Sequence, residues 1–137
     1  MKKFDLIAFD IDGTLTRSKL PLDDKMANLL CQLFGKYKVA IISGASYAQF
    51  QWQILECLQC QIEEMKNLFL LPVDGTVFCK YENGWQCQYD EPLSAEEKGR
   101  IKKAFENIFK ESGLEAPEKI YGEMMEDRGA QFNFSAL

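Results

Sequence analysis

Asp10 and Asp12 stand two positions apart at the end of an apolar run, and Gly13 and Thr14 follow at once. Carboxylates at that spacing can divide a reaction between them, one attacking as nucleophile and the other giving and taking a proton. Two negative charges would repel an anionic substrate, so the pair implies a hard divalent cation. Mg²⁺ suits carboxylate, carbonyl, water and phosphate oxygens. Gly13 permits a sharp turn, and its N–H, with that of Thr14, can face phosphate oxygens. A hydroxyl, Ser43, closes a second apolar run, and the N–H groups of Gly44 and Ala45 follow at a predicted helix start, a seat for phosphate. Taken singly, Asp-x-Asp reads also as a calcium loop or a turn, and Ser-Gly as a plain strand-to-helix turn. Together, in this order and with a helix between them, they point to phosphoryl chemistry.

The chain contains no histidine, which removes Ser-His-Asp and Cys-His nucleophile systems and most zinc hydrolase sites. A net charge of −5 argues against a nucleic-acid partner and fits a small phosphorylated substrate met through a cation. No apolar run approaches a membrane span, and acidic residues interrupt the N-terminal one, so neither a membrane segment nor a signal peptide is expected and the default compartment is the cytoplasm. The five cysteines, an odd number without a signal sequence, are expected to be free thiols. Cys57 and Cys60 form a Cys-x-x-Cys, but Cys79 and Cys87 are too widely spaced to complete a zinc ribbon, so the pair reads as part of a helix face.

These residues need elements to hold them. Phe4–Asp10, Tyr37–Ser43 and Asn67–Pro72 read as three buried strands. Between the first two, Asp23 and Asp24 start a helix with Met26, Leu29, Leu30, Leu33 and Phe34 on one face, stopped by Gly35. Ser46 can cap a second helix carrying Phe50, Ile54 and Leu58 on one face. Alternation of strand and helix predicts a parallel α/β sheet, with functional loops at the carboxyl ends of its strands. From about residue 75 the pattern changes. Thr76–Asp90 is a hairpin around Asn83-Gly84: a two-residue turn pairs Lys80 with Cys87, and a three-residue turn with Gly84 in a bulge pairs Cys79 with Cys87. Ser94 and Glu97 form a capping box for a helix with Ile101, Phe105, Ile108 and Phe109 on one face, closed by Gly113. Ala130–Ala136 alternates like a strand.

"FDIDGTLT" at 9–16 resembles motif I of the haloacid dehalogenase superfamily, and "VAIISGAS" at 39–46 resembles its motif II. The module after the third strand is similar to the family's type IIB cap. "EDRGAQFNFSAL" at 126–137 resembles the cap segment of phosphomannomutase-like members, where an arginine, an asparagine and a serine recur at the positions of Arg128, Asn133 and Ser135. The resemblance implies a partial Rossmannoid core over residues 1–74 and a partial cap over residues 75–137. It also implies a Mg²⁺-dependent phosphohydrolase acting on a small phosphorylated metabolite, of the sugar phosphate kind. Asp10 is then the nucleophile and Asp12 the acid and base. Mg²⁺ binds the Asp10 carboxylate and the Asp12 carbonyl, Gly13, Thr14, Ser43 and Gly44 hold phosphate, and Arg128, Asn133 and Ser135 face substrate.

The family's motif III lysine and motif IV acidic residue follow the cap, and this chain stops within it. Lys98, Lys102, Lys103 and Lys119 do not match motif III, and Tyr121 stands where the mutase-like pattern favours a basic residue. Asp74, in "VDGT", reads as a linker turn. Two further readings therefore stand beside the hydrolase: a phosphomannomutase-like phosphohexomutase, and a non-catalytic fragment that needs a partner or self-associates through an unfinished sheet edge.

Overall fold

The computed structural model describes residues 4–113 and 123–134. They fall into two compact units that divide between Asp90 and Glu91. The first is a mixed α/β layer. Strand β1 (Leu6–Phe9) leads through helix α1 (Asp24–Phe34) to β2 (Lys38–Ile42), then through α2 (Tyr47–Gln53) and a short α3 (Ile62–Met65) to β3 (Leu68–Leu71). The strands β1, β2 and β3 are parallel, with Ala8 beside Ala40 and Ala40 beside Phe69. Parallel neighbours need long crossovers, which the helices supply.

Helix α1 starts where expected, because the Asp23 carboxylate accepts the Met26 N–H at 2.7 Å. Its stripe of Ala27, Leu30 and Phe34 packs with Val39, Ile41, Leu68, Leu70, Phe50 and Ile54 into one core. Leu29, expected on that stripe, is 50% exposed. Helix α2 is shorter than the spacing suggested. It ends at Gln53 with Ile54 as its cap, a 3₁₀ turn covers Leu55–Cys57, and Leu58 is extended.

The helices cover one face of the sheet. The other carries Leu6, Ala8, Ala40, Ile42, Phe69, Leu71 and Phe78, which line an apolar hollow of about 400 Å³. Strand β1, expected to be buried, lies at the sheet edge, with Leu6 49% exposed. Apart from β2, no described strand pairs with it, and no described helix of the first unit lies over its second face.

The hairpin of β4 (Val77–Tyr81) and β5 (Trp85–Asp90) does not open the second unit. Strand β4 pairs antiparallel with β3, so the sheet runs β1-β2-β3-β4-β5 and the compact units divide at Asp90/Glu91. Here the structure departs from the boundary after residue 74 that the change of pattern and the resemblance suggested. The reason is nonlocal: Val77 and Cys79 pack against the core on one face while Phe78 stacks 6.1 Å from Phe69 on the other, as in an interior strand. The hairpin adopts the three-residue turn, with Tyr81 beside Trp85 and Cys79 beside Cys87.

The second unit packs α4 (Ala95–Ser112) with a hairpin of β6 (Met125–Asp127) and β7 (Phe132–Phe134). Phe134 sits 4.9 Å from Phe109 and 5.9 Å from Phe105, ring centre to ring centre. Lys98 pairs with Asp127 at 3.0 Å, and Lys102 lies over the Phe132 ring. Gly113 takes φ +65° and ends the helix. No described helix is long and apolar enough to cross a membrane.

Candidate active site

The carboxyl ends of the three parallel strands form one rim, and most of the expected residues of the first unit stand on it. Asp10 is the first residue beyond β1. It is exposed, and its carboxylate has no hydrogen-bond partner among the described residues. Phe9 pairs with Ile41, so Asp10 and Ser43 lie at adjacent strand ends. The loop after β3 joins them: the Asp74 N–H donates to the Ser43 carbonyl and the Val73 N–H to the Ala45 carbonyl, each at 3.0 Å. Asp74 is thus part of the rim as well as of the turn. Val73, Asp74 and Gly75 all take positive φ there, at 51°, 54° and 88°. For a β-branched valine that conformation is strained.

Asp12 is held differently from Asp10. Its Oδ1 accepts two hydrogen bonds, from Gln53 Nε2 at 2.9 Å and from the Lys19 backbone N–H at 2.9 Å. Gln53 is fully buried and lies between Phe50 and Ile54 on the inner face of α2. The sequence reading passed over it. The signal was a polar residue interrupting a buried apolar stripe, where an amide must find partners.

Gly13 turns the chain at φ +78°, as expected. Its N–H, however, donates to Thr16 O at 2.8 Å, and the Thr14 N–H donates to Ile11 O at 3.2 Å. The turn uses both groups, so they do not face outward for phosphate as the sequence suggested. Thr14 itself is exposed and lines, with Thr16, Arg17 and Leu20, a cleft of about 520 Å³. The Ala45 N–H donates to Ser43 Oγ at 3.3 Å, and Ser46 caps α2 by accepting from Gln49 at 3.3 Å. What Ser43 offers on the rim is its half-buried hydroxyl; Gly44 beside it is also half-buried.

In the second unit Arg128 and Asn133 come together on the β6–β7 hairpin. The Arg128 guanidinium donates to Glu126 Oε2 at 2.8 Å and 3.0 Å. With its amide oxygen toward the guanidinium, Asn133 accepts from Arg128 Nη1 at 2.8 Å. Asp127 is held below the usual carboxylate range, first by the Gly129 N–H and then by Lys98. Ser135 lies outside the described residues, as do Lys119 and Tyr121.

The cysteines depart from expectation. Cys31 bonds to Cys60 and Cys79 to Cys87, leaving Cys57 free. Cys60 precedes α3 and is not on a helix face, and the hairpin register sets Cys79 opposite Cys87. Cys31, Cys60 and Glu64 are the one group of three possible metal-ligand side chains gathered within 4.8 Å among the described residues, and two of its donors are bonded to each other.

The model of a family described as haloacid dehalogenase-like hydrolase matches residues 7–135. No curated protein matches the chain. Among solved structures, the fold is similar to Plasmodium falciparum IMP-nucleotidase, with a TM-score of 0.62 and 21% identity over 93% of this chain and 38% of that one. A haloacid dehalogenase-like hydrolase from B. subtilis gives 0.57 and 23% over 76% of this chain and 34% of that one. One from Bacteroides thetaiotaomicron gives 0.54 and 21% over 77% and 38%. The chain therefore spans less than two fifths of the length of these structures.

Proposed function

Since the chain belongs to the haloacid dehalogenase-like hydrolase family, we propose that its rim carries out Mg²⁺-dependent hydrolysis of a small phosphorylated metabolite, of the sugar phosphate kind, through an aspartyl-phosphate. One observation carries the reading: the two carboxylates after β1 are treated oppositely. Asp10 is exposed and unengaged by described residues, while Asp12 is half-buried and anchored through one oxygen. A nucleophile needs a free carboxylate oxygen, and a proton donor needs a fixed one.

In this mechanism the Asp10 carboxylate attacks phosphorus, and Asp12 protonates the leaving oxygen. Asp12 then takes a proton from the water that cleaves the acyl phosphate. Ser43 and Thr14 hydroxyls donate to the phosphoryl oxygens. The donor set suits Mg²⁺, because the unengaged Asp10 carboxylate and the Asp12 carbonyl are hard oxygens. When bound, the ion would offset negative charge between substrate and carboxylates. Arg128 and Asn133 are proposed to meet the substrate's remaining polar groups.

The test is phosphate release from an aryl phosphate by the 137-residue chain, with Mg²⁺ or with chelator, beside Asp10→Asn. Mg²⁺-dependent release that Asp10→Asn removes is expected. Folded chain with no release above Asp10→Asn would overturn the reading that this chain completes the reaction alone. The bare apolar face then favours a second reading, a chain that works only when a partner covers its sheet.

A further inference from the structure

We propose that Gln53 is a positioning residue that makes Asp12 a one-sided proton donor, a role that rests on the phosphoryl-transfer reading above. Gln53 is the one fully buried polar side chain among the described residues. Its amide is fixed at every end. Oε1 accepts from Gln49 Nε2 at 3.0 Å, and Nε2 donates both to Asp12 Oδ1 at 2.9 Å and to Thr16 Oγ1 at 3.1 Å. The Thr16 hydroxyl passes its own proton on to Arg17 O at 2.9 Å, so it can only accept from Gln53. The network thus decides which way the amide points, with its NH₂ toward Asp12. The Gln53 carbonyl accepts the Leu22 N–H at 2.9 Å, which ties α2 to the segment after the Asp12 turn.

The consequence follows atom by atom. Gln53 Nε2 and the Lys19 N–H are donors that cannot accept a proton. Lys19 takes φ +55° where its N–H meets the carboxylate, a conformation an L side chain seldom adopts. With both donors on Oδ1, a proton carried by Asp12 resides on Oδ2, which has no partner among the described residues. Leaving-group protonation, and later abstraction of the water proton, therefore run through Oδ2. When the proton leaves Oδ2, the charge left on the carboxylate is met at once by two N–H groups already in place, with no reorganisation.

The experiment compares wild type with Gln53→Leu, and with Gln53→Met as a second variant of similar volume should the first fail to fold. The first readout needs no turnover: three-bond couplings that report the Asp12 χ1 angle. A single rotamer in wild type that becomes averaged in the variant, with the rest of the amide spectrum unchanged, is expected. Asp12 remaining in one rotamer without the Gln53 amide would overturn the proposal. The second readout is the leaving-group dependence of the first half-reaction, release of the aryl alcohol in a single turnover, because hydrolysis of the acyl phosphate calls on Asp12 for every substrate. With phenyl phosphate, which needs its leaving oxygen protonated, the rate of that release at saturating substrate should fall about 10- to 100-fold. With 2,4-dinitrophenyl phosphate, which departs without a proton, the loss should stay under about threefold. Equal losses on both substrates would mean that Gln53 serves the fold alone. A single Asp12 rotamer in wild type that is lost in the variant, from a wild-type chain with no turnover, would count against the phosphatase reading and leave the positioning of Asp12 by Gln53 upheld.

Discussion

Five cysteines of one chemical kind meet three different surroundings. Cys31 and Cys60 are joined across the helical side, Cys79 and Cys87 across a strand pair, and Cys57 keeps a thiol that approaches the Gln53 carbonyl at 3.7 Å. A thiol reagent should titrate one group in the folded, unreduced protein and five after reduction and unfolding. Five before reduction would remove both bridges. Breaking the longer link, whose ends are 29 residues apart, should cost about 3–4 kcal/mol in a chain-entropy view. The same scale shows what sequence reading reaches. The placement of Asp10, Asp12 and Ser43 at the ends of parallel strands was legible because their spacing after apolar runs announces where those strands stop. Gln53 was not, because nothing in its own neighbourhood names Asp12, which is 41 residues away, as its partner. The Gly13 and Thr14 N–H groups were misjudged because a turn's internal hydrogen bonds depend on how the turn closes.

Helix α4 illustrates an element whose start is written locally. Ser94 Oγ accepts the Glu97 N–H at 3.2 Å and the Glu97 carboxylate accepts the Ser94 N–H at 2.8 Å, the reciprocal pair expected from Ser-x-x-Glu. Ser94→Ala should destabilise the second unit by about 1 kcal/mol, measured by denaturant unfolding followed at 222 nm. Glu97 is held below the usual carboxylate range, first by the Ser94 N–H and then by its hydroxyl. A carboxyl whose folded value lies below its unfolded one stabilises fully above the unfolded range, and loses that contribution as pH falls through the folded value. Helicity of α4 should therefore decline as the solution is acidified below the ordinary carboxylate range. Glu97→Gln, which keeps the reach but not the charge, should flatten that decline, and Asp127→Asn should flatten it further, since its shift has the same sign. Equal acid sensitivity in wild type and the double variant would refute the assignment. The parallel strands, α1, the hairpin and α4 were all legible from period and punctuation. The early end of α2, the single turn of α3 and the docking of β4 on β3 were not, because each is settled by a partner distant in sequence.

At the scale of the molecule, the helices of the first unit dress one face of its sheet and leave the other bare of any described element of that unit. The bare face presents Leu6, Ile42, Phe69 and Phe78 without a polar neighbour in the hollow they line. A surface of that kind on a separate chain should drive association. Sedimentation velocity over a range of concentrations should show assembly of wild type, reduced in the Leu6→Lys/Phe78→Lys double variant. A monomer at every concentration would sink the expectation. The order of the strands has a different outcome. In β1-β2-β3-β4-β5 every strand lies beside the one made just before it, so none waits for a segment made later than its successor. A growing polypeptide can lay this sheet down strand by strand in the order of synthesis. Asp12 and Gln53 then meet as soon as α2 settles, well before residue 91 is made. The strand that leads into Asp10 is thus the first of this sheet to be made, and every later strand adds from the same side.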